Sequence, residues 1–179
     1  QLECLVGVLS FASYFVPLGR LRLRPIVSWM NYHSSVASRD VPVPLDSSLK
    51  DLLQVWTDES FLTTPVPMSL PLPTLQLMTD ASRSGWGGVL IPHSVSGTWP
   101  PSFSSCSINW LELQAVLLSV RHFLPLLRGN CVQLLTDNST VVACIRRQGT
   151  LRSPTLMSLS VTLLEFCLTH SITLIPMPV

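Results

Sequence analysis

The sequence predicts an α/β domain, a mixed sheet covered by helices, with a small helical segment in front of it. Three observations predict this. From Leu75 onward, three hairpin-type strand patterns are followed by a helix, a strand, further helices and a last strand. A proline-rich stretch, Thr63 to Pro73, separates that part from the residues before it. The 179 residues are 47% hydrophobic with a mean hydropathy of +0.43, which supports a sizeable core and argues against disorder throughout.

Taken in order, Leu2, Leu5, Val6 and Leu9 recur at helical spacing, and Pro17 and Gly19 punctuate the chain after them. In LRLRPIVSWMN, Arg20, Arg22 and Arg24 alternate with leucines. That alternation reads as an extended segment, and Pro25 pushes Arg24 out of the α region. The three arginines form either a solvated edge or a phosphate-contacting strip. Residues 32–74 read as a connector in which Asp46 or Ser47 caps a helix running to about Trp56. The domain boundary is placed after residue 74, giving segments 1–74 and 75–179, and there is no internal repeat.

In the second segment, Leu75–Thr79 is a strand, with a turn around Ser82–Gly85 and a second strand at Trp86–Ile91. Thr98–Trp99 begins a short third. Asn109 to about Phe123 is a helix with apolar residues at Leu111, Ala115, Leu118 and Phe123. Val132–Thr136 is a fourth strand, and a short helix from Ser139 to about Arg147 stops before Gly149. Ser153-Pro154 opens a helix to about His170, with Ser as cap and Pro at the first helical position. Ile172–Ile175 is a last strand.

Composition narrows the function classes. A net charge of +1 gives no whole-chain basic footprint, so any electrostatic contact with a polyanion must be local. The five cysteines are scattered, odd in number and without a C-x-x-C pair, which fits buried free thiols in an intracellular, reducing setting. The longest apolar run, Cys4 to Gly19, has 16 residues against the about 20 of a membrane span, so no membrane role is expected. The four histidines show no metal-ligand spacing. Gln1 at the start and the apolar run at Val179 read as the ends of a fragment.

Charged residues are only 12%, about half the usual share, so the position of each carboxylate is informative. Asp80 ends the first strand, Glu112 lies in the first turn of the long helix, and Asp137 ends the fourth strand. Singly, each has a local explanation. Asp80 opens a turn, Glu112 closes a capping box with Asn109, and Asp137 caps the next helix. Jointly those explanations weaken, because the context recurs as LMTDAS and LLTDNS and Glu165 is the only other acid between 75 and 175. If the first and fourth strands are neighbours, the three acids converge. Such a cluster repels itself unless a hard divalent cation neutralises it, above all Mg²⁺. Two such ions about 4 Å apart suit phosphodiester hydrolysis.

The strings LMTDASRSGWGGVL, INWLELQAVLLSV and LLTDNSTVVACIRRQGTLRS resemble the ribonuclease H domain of retrotransposon polyproteins of the gypsy and DIRS type. The leading QLECLVGVLSFASYFVPLGRLRLRP resembles the thumb and connection region that follows a reverse transcriptase palm. The resemblance covers nearly the whole chain. It implies a ribonuclease H-like mixed five-stranded sheet with helices on both faces. The implied activity is a metal-dependent endonuclease that hydrolyses the RNA strand of RNA–DNA hybrids within a reverse-transcriptase polyprotein. It implies Asp80, Glu112 and Asp137 as ligands to Mg²⁺ or Mn²⁺, two ions, with Glu112 also orienting the water. Ser82, Asn109 and Asn138 stand where that family contacts the RNA sugar edge. There are two departures: the family's fourth acid lies beyond the last strand, where this chain has ended, and LIPMPV, with Pro176 and Pro178, stands where the family tends to have a histidine-proline-glycine turn. They motivate an alternative, a catalytically inactive nucleic-acid-binding or structural remnant of the same fold. A different nuclease or transposase on this fold is a third reading, which the thumb-like leader opposes.

Overall fold

The computed structural model describes residues 2–36 and 45–179, and residues 37–44 of the expected connector lie outside the described part. The chain divides into two compact units, residues 1–68 and 69–179.

The first unit is helical: α1 (Leu2–Ala12), α2 (Gly19–Val36), α3 (Ser47–Gln54) and α4 (Glu59–Thr63), with a 3₁₀ turn at Val55–Thr57. Its core is Val6, Leu9, Val16, Leu23, Ile26, Leu49 and Trp56. As expected, Asp46 caps α3, its side chain accepting from Leu49 N–H at 2.9 Å. The segment read as extended is instead the body of α2, with Pro25 inside the helix. Leu23, Ile26, Val27 and Met30 recur at i, i+3, i+4 and i+7, and all four join this core. Burying that stripe outweighs the local cost of the proline and the strand-like Arg-Leu alternation.

The second unit holds a mixed five-stranded sheet in the order β3-β2-β1-β4-β5. The strands are β1 (Leu75–Ala81), β2 (Gly85–Leu90), β3 (His93–Thr98), β4 (Cys131–Thr136) and β5 (Thr173–Pro178). β1, β2 and β3 form an antiparallel meander, while β4 pairs in parallel with β1 and β5 with β4. The third strand therefore ends at Thr98, where the sequence reading began it. Its six residues, HSVSGT, carry one large apolar side chain, so no alternation announces it.

Helices α5 (Ile108–His122), α6 (Leu124–Leu127), α7 (Ser139–Arg146) and α8 (Pro154–Thr169) complete the unit. Ser153 caps α8 by accepting from Leu156 N–H, with Pro154 at its first position as the sequence indicated. α5 lies on β1 and β2, α7 on β4 and β5, and α8 on β5, and these three helices pack on one another as one layer. Buried side chains alternate along the sheet: Leu77 and Thr79 on β1, Val132, Leu134 and Thr136 on β4. Gln76, Met78, Gln133 and Leu135 fall between them and are exposed or half-exposed. Helices α5, α7 and α8 thus form a layer on one face, and the other face carries this partly polar strip.

α5 is buried nearly all round, which makes it the central helix. Its seat is a single close approach. Gly88 of β2 faces the fully buried Ser119, and a Cβ on Gly88 would come within 2.8 Å of Ser119 Cβ and nearer still to its Oγ. Only glycine lets helix and strand lie this close.

β5 is an edge strand, and its prolines sit on the open side. Thr173 N–H donates to Asn130 O (3.0 Å) and Val179 N–H to Thr136 O (3.2 Å), so odd-numbered residues face β4. Pro176 and Pro178 therefore lack their donors only where nothing is paired. The Pro176 carbonyl accepts instead from Arg146 Nε (3.1 Å) and Nη2 (2.9 Å). Arg146→Ala is expected to lower stability by about 1–2 kcal/mol in urea unfolding, the worth of one or two hydrogen bonds from a charged donor. An unchanged midpoint would mean that pairing with β4 alone holds the strand.

All five cysteines are free, and Cys131, Cys144 and Cys167 are buried; burial pushes the Cys167 thiol up to about 12. Among the described residues no helix is long and apolar enough to cross a membrane.

Candidate metal centre

The two repeated strings lie side by side. β1 and β4 pair in parallel with Leu77 opposite Leu134 and Met78 opposite Leu135. Two residues further along each strand the same register brings Asp80 level with Asp137. Asp80 stands within β1, which runs on to Ala81, and Asp137 directly follows β4. The threonines before them, Thr79 and Thr136, are buried under the helix layer, while both aspartates are exposed.

Glu112 comes from α5, seven residues and two turns before Ser119 on the same side of the helix. It lies in the second turn, because α5 starts at Ile108 with Ser107 as its cap; the Ser107 hydroxyl accepts from Trp110 N–H. Asn109 is therefore not the cap, and no capping box with Glu112 forms. Sequence reasoning missed Ser107, although a serine two residues ahead of the expected start was a signal for it. Glu112 is 4% exposed. One carboxylate oxygen of each of Asp80, Glu112 and Asp137 lies within 4.8 Å of those of the other two.

Burial first, and then the negative charges of Asp80 and Asp137, push the Glu112 carboxyl from its ordinary 4.5 to about 7; a hydrogen bond from the Ala81 backbone opposes the rise. Its Oε2 is buried and has no hydrogen-bond partner. Three converging carboxylates with an unsatisfied buried oxygen fit a hard divalent cation. Between 4.5 and about 7 the folded chain holds a proton that the unfolded chain releases, so metal-free stability falls as pH rises through that window. The metal-free chain is expected to be more stable at pH 5 than at pH 8 by on the order of 1–2 kcal/mol, less than the full shift because two of the three groups are solvated. Glu112→Gln should flatten this dependence. Equal melting temperatures at the two pH values in the parent chain would contradict it.

The other three residues singled out in the sequence lie around the carboxylates on neighbouring segments. Ser82 is in the β1–β2 turn, where its hydroxyl meets Ser84 Oγ at 3.0 Å and accepts from Ser84 and Gly85 N–H at 3.2 Å each. Asn138 caps α7, accepting from Thr140 N–H (2.9 Å) and Val141 N–H (3.1 Å). Its Nδ2 donates to Asn109 Oδ1 at 2.9 Å, which joins the starts of α5 and α7 across 29 residues of sequence.

No family model matches this sequence, and no curated protein does. Among solved structures the chain is similar to LC11-RNase H1 in complex with an RNA/DNA hybrid, at 15% identity over 59% of this chain and 86% of that one, with a TM-score of 0.49. It is similar to RNase H1 from the halophilic archaeon Halobacterium salinarum NRC-1, at 17% identity over 58% and 85% of the two chains, with a TM-score of 0.47. It is also similar to a foamy viral protease-reverse transcriptase in complex with double-stranded DNA, at 15% identity and a TM-score of 0.43. There the match covers 99% of this chain and 32% of the viral one.

Proposed function

We propose that this chain is a divalent-metal-dependent endonuclease that hydrolyses the RNA strand of RNA–DNA hybrids and works as part of a retrotransposon reverse transcriptase. The observation that carries the reading is the convergence of Asp80, Glu112 and Asp137 to within 4.8 Å, one of them buried with an unsatisfied oxygen. The sequence resemblance of the segments around these acids, and of the thumb-like leader, supports the substrate and the polyprotein setting.

Asp80, Glu112 and Asp137 would hold Mg²⁺ or Mn²⁺, which supplies charge neutralisation at the phosphate and lowers the pKa of a bound water. The rest falls to the chain. Asp80 and Asp137 are exposed and present their oxygens toward a phosphodiester. Glu112 keeps a proton near neutral pH until the cluster is neutralised, and when ionised its Oε2 is an acceptor that can orient the attacking water. Ser82, Asn109 and Asn138 lie on three adjoining segments and offer donors and acceptors to a ribose 2′-hydroxyl, itself donor and acceptor.

The test is cleavage of an end-labelled RNA–DNA hybrid with Mg²⁺ or Mn²⁺, beside RNA and DNA duplexes of the same sequence and an EDTA control. Metal-dependent scission confined to the RNA of the hybrid is the expected result. Hybrid binding without scission in either metal would overturn the enzyme and leave the binding remnant.

A further inference from the structure

Four half-exposed aromatic rings form a continuous row beside the carboxylates. Trp86 on β2 lies 6.4 Å from Trp99, Trp99 5.8 Å from Phe103, and Phe103 4.9 Å from Trp110 on α5. The row starts opposite Ala81, the residue after Asp80, with which Trp86 is paired across the strands. It ends two residues before Glu112.

Each ring is fixed in place. Trp86 lies over its cross-strand partner Gly97, where a Cβ would come within 2.8 Å of the indole Nε1. Trp99 Nε1 donates to the Ser82 carbonyl at 2.9 Å. The segment between Phe103 and Trp110 is tied back by Arg83, whose Nη1 donates to Cys106 O at 2.9 Å. The bland account is a satellite cluster closing one corner of the sheet. Packing explains the contacts between rings, and all four rings of the row stay partly open, as Trp29 and Phe61 do where they pack on the core of the helical unit. Trp86, Trp99 and Phe103 are inclined by only 34° and 40° from one to the next, while Phe103 and Trp110 meet edge to face at 87°.

Even with a cation neutralising the three carboxylates, the chain's net charge is only +1, so contacts that are not ionic add to the affinity for a strand at this end of the sheet. Stacking of unpaired bases on aromatic faces is such a contact, and it is indifferent to sequence. We propose that Trp86, Trp99, Phe103 and Trp110 form a stacking platform for a single-stranded extension adjoining the hybrid, so that hybrids with unpaired ends or gaps are the preferred substrates. This rests on the nuclease reading for its substrate, but not for the binding itself.

The experiment uses the full chain carrying Asp80→Asn, so that binding is read without turnover. Its ligands are a blunt RNA–DNA hybrid and the same hybrid with a single-stranded DNA extension of about six nucleotides, a length suited to a short stacking site. The extension should tighten binding about tenfold, the effect of stacking one or two bases, and quench tryptophan fluorescence. Phe103→Leu and Trp99→Leu should abolish the preference, Trp99→Phe should keep most of it, and Phe166→Leu on α8 should leave it intact. In the chain with Asp80 present, the preference should appear in KM rather than kcat. Equal affinity for blunt and extended hybrids, or a preference that survives both leucine variants, overturns the platform. Scission of the blunt hybrid with no preference would sink the platform alone. Quenching and preference with no scission by the parent chain would sink the nuclease alone.

Discussion

Asp80→Asn is expected to reduce metal-dependent scission of the RNA strand by about 10³-fold or more, because it removes a ligand worth several kcal/mol at the transition state. The substitution keeps the shape of the side chain and deletes its charge. It should therefore leave hybrid binding in place. It should also relieve Glu112, whose carboxyl is held up partly by the Asp80 charge. A metal-free melt at pH 8 should thus show the variant no less stable than the parent. Lost scission together with undiminished stability is the signature of a ligand; lost scission with a large fall in melting temperature would point to a merely structural aspartate. Retained scission would remove Asp80 from the site.

The second large effect comes from a position outside the carboxylates. Gly88→Ala is expected to cost about 2–3 kcal/mol in urea unfolding, since the new Cβ overlaps Ser119 and forces α5 off the sheet. Glu112 rides on the same helix two turns away. Scission should therefore fall further than the lost stability explains, by up to about 10² for a displacement near 1 Å, in a sample still folded at the assay temperature. Adding Ser119→Gly opens the space again. It carries its own helix cost of roughly 0.5–1 kcal/mol, yet the double variant should exceed Gly88→Ala in both stability and rate. If it does not, this contact is not what seats α5.

Much of the fold and of the acid cluster was readable because the informative signals were local. LMTDAS and LLTDNS each end an apolar run on the same two residues, and a strand end is where such a pair emerges from the core. The structure adds the register that sets Asp80 level with Asp137, a pairing across 57 residues that no local pattern encodes. Where neighbouring packing overrode local preference, the reading failed. In α2 the Arg-Leu alternation and Pro25 favoured an extended chain, and the stripe Leu23, Ile26, Val27, Met30 decided otherwise. β3 is specified by pairing with β2 rather than by its own side chains. At the start of α5 two residues of capping type, Ser107 and Asn109, stood two apart, and chemistry alone did not choose between them. Trp86 and Trp110 flank the acids in the sequence, but only the folded β2–β3 corner joins them through Trp99 and Phe103.

The prolines of β5 bear on how this protein behaves in company. A sheet edge invites a strand from another molecule by offering outward donors and acceptors in a regular ladder. Here Leu174 is left as the outward donor of the strand, and the Pro176 carbonyl is already engaged by Arg146. A visiting strand would find donors missing at two of the three outward positions, Pro176 and Pro178. For a chain that is nearly half hydrophobic, this edge is closed to the backbone-to-backbone growth that leads to fibrils. Strand addition by another molecule would then have to use the opposite edge of the sheet, β3, rather than β5.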